Sequence, residues 1–495
     1  MNDIAGTTTA DRWFGVTRGG PPPRIIQGGM GVAVSNWRLA RTVASLGQLG
    51  VISGTGIDAV FVRRLQDGDP TGAVRQAVGR FPFQDVAQEA LRRFFVEGGK
   101  AADQAYRRLP LPTIDASRFH RAVTSLAAFV EVTLAREGHD GVVGMNLLTK
   151  IPLPNPATLY GAMLAGVHAV LMGAGIPRDI PAMLDELSQH HAITQRIEAT
   201  VAPGGAPVEQ RFDPADVFGV AAGDLPALPR PAFFPIVSSH ALAEVLLKKS
   251  GASIEGFVVE APTAGGHNAP PRGTKVFDDL GQPVYGERDR VDLQRMRDLG
   301  LPFWLAGSAG SPEALAAALA EGAAGVQVGT LFAYCDESGF TPDVKRRVID
   351  EVRAGRATVR TDPRASPTGF PFKVVSVPGT MSEADTYAGR PRVCDLGYLR
   401  EVVRGADGGV SYRCASEPVA DYVAKGGDEA ETVGRKCLCN ALMAGVGLPQ
   451  LQKGQSEPER PLVTSGDDLP SIARLLKPGA NGYGARDVVA YLLGR

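Results

Sequence analysis

The chain has few cysteines, almost no net charge and no uninterrupted apolar run of membrane-spanning length. Five cysteines in 495 residues are an odd number, which argues against a secreted disulfide framework. A formal net charge of −1 gives no electrostatic reason to expect a nucleic acid or an anionic membrane as partner. The most apolar stretch, residues 160–176, contains four glycines, so we interpret it as a helix end, a turn and a buried strand.

The first fifteen residues, MNDIAGTTTADRWFG, lack the basic and apolar regions of a signal peptide. We therefore expect a cytoplasmic protein. The length leaves room for one large domain with an appended one, or for two domains. An apolar fraction of 44% with 21% charged residues is ordinary for a globular enzyme. A homo-oligomer is left open.

Eight short apolar runs recur along the chain, separated by turn-forming residues and by helix-like segments. None alternates between polar and apolar residues, which is typical of parallel strands buried on both faces. The runs are RIIQGG (24–29), LGVISG (49–54), VVGMNLL (142–148), VHAVLMG (167–173), FFPIVSS (233–239), GFVVEA (256–261), FWLAGS (303–308) and GVQVGT (325–330). The clearest helix-like segments are 36–47, 239–251 and 311–322.

This alternation predicts an α/β protein, a (β/α)8 TIM barrel over residues 24 to about 335. An open, doubly wound sheet is the alternative. The charge-rich residues 55–140 predict a helical insertion after the second strand, and the Pro/Ala-rich residues 200–232 predict a loop or linker. We expect a barrel domain over 1–335 and a C-terminal extension or cap over 336–495, with a helix near its end.

In such a barrel the active site lies where the strands end, so the residues that close each run are the candidates. They are small and polar, with no cluster of carboxylates, which argues against a glycosidase or a divalent-metal hydrolase. After the last two runs, Gly307-Ser308 and Gly329-Thr330 leave the backbone free to approach an anion. These two loops are the recurrent phosphate site of the fold. Tight turns without a ligand are the alternative.

Five motifs in chain order resemble the nitronate monooxygenase family (formerly 2-nitropropane dioxygenase), which includes flavin-dependent enoyl-acyl carrier protein reductases. They are QGGM (27–30), VGMNLL (143–148), AGGH (264–267), AGSAG (306–310) and GVQVGT (325–330). The resemblance covers about two-thirds of the chain and implies an FMN-containing TIM barrel. Gly29 stands where the family usually has proline, and Ser308-Ala309 where it usually has Gly-Ile. Both changes keep the backbone available.

The resemblance also implies roles for individual residues. Gln27, Gly28 and Met30 would line the isoalloxazine, Asn146 would lie beside it, and Gly307, Ser308, Gly329 and Thr330 would hold the phosphate. Gly265 and Gly266 would turn the chain so that His267 faces the ring, where substrate binds.

His267 is the candidate catalytic residue. An imidazole there can accept a proton from a carbon acid, bind an anionic nitronate or orient a thioester carbonyl; a loop histidine that only bonds a carbonyl is the alternative. Asn268 and Arg272 follow as candidate substrate contacts, although Arg272 is equally consistent with a solvated loop residue. Glu260, at the end of the sixth run, is interpreted as a buried structural acid hydrogen-bonded to backbone and not as the catalytic base.

Four cysteines lie in the extension, and four thiols can bind zinc or an iron–sulfur cluster. Their spacing is not a standard one, and free cysteines are commonly buried as small apolar groups. We therefore expect no metal. The four are Cys394, Cys414, Cys437 and Cys439.

Two oxidoreductase functions are consistent with these residues. The first is FMN-dependent oxidation of a nitronate or nitroalkane by O2 to a carbonyl compound and nitrite. The alternative is an NAD(P)H-dependent flavin reductase, such as an enoyl-thioester reductase of fatty-acid or polyketide synthesis. The aromatic- and glycine-rich extension would suit a substrate larger than a simple nitroalkane. A non-catalytic scaffold on a degenerate barrel is a third hypothesis.

Overall fold

The computed structural model describes residues 22–201, 205–220, 222–250 and 253–495. The segment on which the signal-peptide argument depends, residues 1–15, lies outside them. The described strands are β1 (Ile25–Gln27), β2 (Gly50–Ser53), β3 (Val143–Leu148), β4 (Ala169–Gly173), β5 (Ile193–Ile197), β6 (Ala199–Val201), β7 (Val208–Phe212), β8 (Ala232–Val237), β9 (Phe257–Glu260), β10 (Phe303–Ala306), β11 (Gly325–Val328), β12 (Val359–Asp362), β13 (Phe372–Val375), β14 (Glu401–Arg404) and β15 (Val410–Arg413).

The described α-helices are α1 (Trp37–Ser45), α2 (Ile57–Gln66), α3 (Ala73–Val78), α4 (Gln84–Phe94), α5 (Arg118–Arg136), α6 (Asn155–Leu164), α7 (Ile180–Ser188), α8 (Pro214–Phe218), α9 (His240–Lys249), α10 (Leu293–Asp298), α11 (Pro312–Ala320), α12 (Thr330–Ala333), α13 (Pro342–Arg353), α14 (Ala384–Ala388), α15 (Val419–Ala424), α16 (Leu438–Gly445) and α17 (Ala485–Leu492). Short 3-10 helices cover Glu287–Asp289, Glu429–Thr432 and Leu469–Leu475.

Eight parallel strands form a closed barrel, as predicted from the eight apolar runs. Their order around the sheet is β1, β11, β10, β9, β8, β4, β3, β2. The ring closes where Ile26 bridges Leu49 in parallel register and the Gln27 N–H donates to the Leu49 carbonyl at 2.9 Å. The predicted TIM barrel is therefore confirmed, and the open sheet is excluded.

Side chains from at least five of the strands fill the barrel interior. Ile26, Val51, Leu171 and Phe234 pack there against Trp304, all of them fully buried. The Trp304 indole N–H donates to the Pro23 carbonyl at 2.8 Å and so satisfies its one polar atom. Since both faces of each strand are covered, the strands are uniformly apolar, which is why the runs in the sequence do not alternate.

The predicted helix-like segments form helices that begin at side-chain caps. The Asn36 side chain accepts from the N–H groups of Arg38 and Leu39 at the start of α1. Ser311 caps α11 in the same way, with Pro312 at its first position. Residues 55–140 contain the predicted helical insertion as α2 to α5, with no helix between Phe94 and Arg118, and 160–176 contain the end of α6, a turn and β4. No helix among the described residues is long and apolar enough to cross a bilayer.

The prediction of a loop over residues 200–232 was wrong for part of that segment. β7 lies there, alternates between buried and exposed residues, and pairs antiparallel with β5. β6 begins at Ala199 and pairs with β14 of the extension. The flanking prolines and alanines concealed the five-residue β7 and the short helix α8 (Pro214–Phe218), and only β6 has a partner that is distant in sequence.

The extension packs over the carboxyl ends of the barrel strands. Its residues Tyr398, Leu438 and Met443 form a buried cluster with Val60 of α2 and Ile151, which follows β3. α17 at the end of the chain contacts α1 and α11 on the barrel's outer surface. The extension thereby covers the edge at which the active site was predicted.

Candidate active site

One cavity lies at the carboxyl ends of the strands and collects ten of the residues predicted from the sequence. They are Gly28, Met30, Asn146, Gly265, Gly266, His267, Gly307, Ser308, Gly329 and Thr330. Their strand ends are far apart in the sequence and meet because the barrel closes. A TIM barrel places its chemistry at this edge.

The extension supplies the cap of this cavity. Its contributions are Phe372, Tyr398, Leu399, Leu438, Cys439, Leu442, Met443, Thr464, Ser465, Gly466 and Asp468. Most of these side chains are apolar, so the cap presents an apolar surface opposite the polar strand ends. Sequence reasoning identified a cap but assigned none of these residues to the cavity and named Cys439 only as a metal-ligand candidate, because only the folded chain brings residues 372 to 468 to the barrel mouth.

Two glycines explain how the chain leaves β9 toward the cavity. A Cβ on Gly265 would lie 2.8 Å from the backbone carbon of Ser465, so only glycine allows this approach of the cap. Gly266 has a φ of +81°, in the left-handed region that glycine adopts without strain. Its N–H donates to the Thr464 hydroxyl at 2.9 Å. The turn after β9 and the cap therefore hold each other in position.

His267 follows this turn and is oriented by the extension. Its Nε2 lies 2.7 Å from the Ser366 hydroxyl, which lies 2.8 Å from the Thr368 hydroxyl. Nδ1 makes no hydrogen bond to the described residues. Enclosure by protein, with a smaller contribution from the nearby Lys150 cation, lowers the pKa of His267 to about 4. The ring is therefore neutral at physiological pH and has one free nitrogen.

Glu260 ends β9 and lines the same cavity. Its carboxyl makes no hydrogen bond or ion pair with the described residues, so the predicted bond to backbone is not there. Burial raises the pKa of Glu260 to about 8. The side chain is consequently a carboxylic acid that carries its proton at neutral pH.

Two buried polar atoms on the cavity wall have no hydrogen-bond partner among the described residues. They are Asn146 Oδ1 and Gln327 Oε1. A buried polar atom without a hydrogen bond is costly, so such atoms mark a place where a ligand supplies the partner. A flavin ring carries both N–H and C=O groups along its edge, and these residues fit it. Gln327 was overlooked although it lies inside the motif GVQVGT.

The two predicted phosphate loops meet at one end of the cavity, but their polar groups also contact the extension. Gly307 and Ser308 both have positive φ, +97° and +51°, and the latter is unusual for a residue with a side chain. The Thr330 hydroxyl donates to Asp468 Oδ1 at 2.6 Å. Burial raises the pKa of Asp468. A phosphate here would share its loops with this carboxyl, so its role stays a prediction.

Three predicted residues lie outside the cavity lining. The Gln27 side chain points between β1 and β2, where it accepts from the Val51 N–H at 3.1 Å and donates to Ser35 Oγ at 2.8 Å. Asn268 is buried and donates to the Ala264 carbonyl at 3.0 Å. Arg272 donates to the Ser238 carbonyl and hydroxyl, tying its loop to the end of β8. All three stabilise the loops around the site.

The late cysteines come together in the extension. Cys394 and Cys414 are neighbours, and their interaction raises the pKa of the Cys394 thiol and lowers that of the Cys414 thiol. Cys439 lines the cavity cap. Among the described residues, no group of three or more His, Cys, Asp or Glu side chains is placed to hold a metal ion.

The barrel is closed, has glycine-rich loops after its last two strands, and holds a neutral histidine in a capped cavity. These features are typical of the cofactor-dependent TIM-barrel enzymes. Residues 231–362, which contain β8 to β12 and His267, match the family model described as Nitronate monooxygenase. This match confirms, over that segment, the family predicted from the motifs. Enzymes of this family are FMN-dependent oxidoreductases, and we conclude that this chain is an oxidoreductase with FMN as its cofactor.

Solved structures with a similar course of the chain are distant in sequence. FabK from Thermotoga maritima is 16% identical, with a TM-score of 0.46, covering 96% of this chain and 92% of that chain. Nitroalkane oxidase from Streptomyces ansochromogenes is 15% identical, with a TM-score of 0.47, covering 98% and 97%. The enoyl reductase domain of MlnA from the macrolactin biosynthesis cluster of Bacillus amyloliquefaciens is 11% identical, with a TM-score of 0.46, covering 95% and 93%.

These likenesses are too distant to assign a substrate or a reaction. A comparison with curated protein sequences gave no match.

Proposed function

We propose that this enzyme is an NAD(P)H-dependent reductase of a carbon–carbon double bond conjugated to a carbonyl, with an enoyl thioester as the substrate class. The observation that carries the proposal is the pair His267 and Glu260. Both line the cavity, and both lack a protein partner at the atom available for chemistry. One is a neutral imidazole and the other a protonated carboxyl at neutral pH.

Reduction of a conjugated double bond needs a hydride at one carbon and a proton at the other. FMN, when bound, supplies the two-electron chemistry that links the nicotinamide to the substrate. His267 donates a hydrogen bond to the carbonyl oxygen and so polarises the double bond, while Ser366 holds the ring in place. Glu260 gives its proton to the carbon next to the carbonyl and recovers one from solvent. The balance is one NAD(P)H and one proton consumed for each double bond.

The cap suits this reaction in two ways. Its apolar side chains, among them Leu438, Leu442 and Met443, can receive an acyl chain. By covering the strand ends they also exclude water, which strengthens the hydrogen bonds to the substrate carbonyl. Neither feature is needed for a nitroalkane of a few atoms.

Oxidation of a nitronate by O2, to a carbonyl compound and nitrite, is the second candidate. The Lys150 cation is close enough to His267 to lower its pKa further. A cation beside a neutral imidazole would hold an anionic nitronate. Glu260 would not repel the nitronate, because its carboxyl is protonated and uncharged at neutral pH. The description of the matching family model agrees with this candidate.

Turnover with two substrate sets tests the choice. The purified holoenzyme is given NADPH or NADH with a short enoyl thioester, and separately a propyl nitronate with O2. Loss of the nicotinamide absorbance that depends on the thioester supports the proposal. Nitrite release and O2 uptake with nitronate, without thioester reduction, would establish the second candidate instead.

A further inference from the structure

A second cavity of ≈ 530 Å³ lies beside the candidate active site. The segment 366–372 contributes to both. Phe372 lines the first cavity, while Gly369 and Pro371 line the second. A ligand in the second cavity would therefore lie next to the segment that holds His267.

The charge of this second cavity is strongly positive. Its lining includes four cationic side chains, Lys275, Arg360, Arg364 and Arg435. Asp362 is the one carboxylate among the described lining residues. Asp362 is engaged by its own turn, because its Oδ1 accepts from the N–H groups of Arg364 and Ala365 at 2.8 and 3.2 Å. Within the lining, one engaged carboxylate thus faces four cations, while Asp278 and Glu431, outside the lining, act on Arg360 and Arg435.

Two of these cations are free to bind a ligand, and the other two are oriented by backbone carbonyl groups. Lys275 and Arg364 are exposed and make no ion pair with the described residues. Arg360 donates to the Leu280 carbonyl at 2.9 Å, and Arg435 donates to the Ser366 carbonyl at 2.6 Å. Carbonyl groups orient a guanidinium without cancelling its charge, so these two arginines still add positive potential to the cavity.

The opposite wall of the cavity is apolar and stiff. Pro270, Pro271 and Pro283 line it. Val276 and Phe277 stand beside them with 52% and 51% of their surface exposed. Flat apolar surface next to clustered guanidinium groups matches a molecule that has an aromatic base at one end and a phosphate close to it.

We propose that this cavity binds the phosphorylated adenosine end of a nucleotide cosubstrate, with the base against the proline wall and the ribose phosphate on the arginines. The inference rests on the proposed function, because a reductase of enoyl thioesters uses such molecules. Two sources share this chemistry, since NADPH carries a ribose 2′-phosphate and a coenzyme A thioester a ribose 3′-phosphate.

Titration of the holoenzyme with three nucleotides tests the site independently of turnover. The probes are adenosine 2′,5′-bisphosphate, adenosine 3′,5′-bisphosphate and 5′-AMP, which lacks the second phosphate. We expect one bisphosphate to bind about tenfold more tightly than 5′-AMP, as a charge-assisted phosphate contact would give. The identity of that bisphosphate tells which source the site serves.

A charge-matched pair of variants assigns the effect to the cavity. Arg360→Ala/Arg364→Ala should abolish the preference for the bisphosphate. Lys248→Ala/Lys249→Ala removes two exposed charges from α9 and should keep it. Neither pair lies in the flavin cavity, so flavin content serves as a check on folding.

Two results would overturn the proposal. One is equal binding of all three nucleotides to the wild type, and the other is an unchanged preference in the arginine variant. If that variant also fails with an enoyl group on a carrier protein, the surface is assigned to protein docking. Bisphosphate selectivity in an enzyme that oxidises nitronate would instead keep the site and reject the reductase.

Discussion

At the scale of single residues, the site depends on two side chains that the protein holds neutral. His267 is neutral because the protein encloses it, and Glu260 is protonated for the same reason. The sequence located His267 by its motif, since a histidine after two glycines stands out. It could not reveal the state of Glu260, because that state depends on the absence of any hydrogen-bond partner around a strand end.

Substituting His267 tests its chemical role. In His267→Ala we expect FMN to remain bound and kcat to fall by about 10²- to 10⁴-fold, the usual contribution of a positioned acid–base or hydrogen-bonding group. Steady-state kinetics on protein of known flavin content measures this. His191→Ala is the control, since that ring is exposed and pairs with Glu186. Unchanged turnover in His267→Ala would remove the residue from the mechanism.

The pH dependence of turnover tests Glu260. Its pKa is raised to about 8, so the proton-bearing form dominates below that pH and is lost above it. We expect kcat to fall as pH rises through about 8, and Glu260→Gln to have a low kcat without that alkaline limb. Glu321→Gln, on the exposed side of the barrel, should keep the wild-type profile. An alkaline limb that persists in Glu260→Gln would assign it to another group.

At the scale of elements, strand β13 of the extension holds the His267 loop in place. The Asn268 N–H donates to the Pro371 carbonyl and the Lys373 N–H to the Gly266 carbonyl, both at 2.9 Å. The buried Lys373 ammonium pairs with Asp467 at 2.6 Å. These contacts join residues about 100 positions apart. The apolar runs and helix-like segments predicted the barrel elements because those signals are local, whereas pairing across such separations leaves no local signal.

A methyl group at Gly265 should separate the loop from the cap. Its Cβ would lie 2.8 Å from the Ser465 carbonyl carbon, and backbone cannot move aside as a flexible side chain can. For Gly265→Ala we expect about 1–3 kcal/mol less free energy of unfolding, together with weaker FMN binding. Denaturant unfolding and flavin titration measure the two effects.

Gly286→Ala is the matched control, because nothing lies within 4 Å of its Cβ position and its φ is not left-handed. If both variants bind FMN as the wild type does, the close approach of the cap does not shape the flavin site.

At the scale of the whole molecule, the extension and the barrel share their buried surfaces. Tyr398 of the cap donates to the buried Asp58 of α2, and Asp58 contacts His120 of α5 at 3.1 Å. Burial raises the pKa of Asp58, but the hydrogen bond and charge of His120 outweigh it, so the pKa lies below its usual value. The domain boundary predicted at residue 335 rests on where the apolar runs end. That pattern carries no information about contacts between the barrel and the extension.

This network should make the barrel and cap unfold together. His120→Leu leaves the Asp58 carboxylate buried without its ring partner, and we expect about 3 kcal/mol of lost stability. Calorimetry should record one transition in both proteins, shifted to lower temperature in the variant. If calorimetry instead records two transitions and only one of them moves in the variant, the cap folds independently of the barrel.

The central claim is tested most directly by an anaerobic mixture of the purified flavoprotein with NADPH, with NADH and with propyl nitronate in parallel, followed by flavin absorbance. Our account predicts rapid bleaching by a nicotinamide and restoration of the colour by an enoyl thioester. Bleaching by the nitronate alone would contradict the reductase, and a purified protein without flavin would contradict the cofactor site itself.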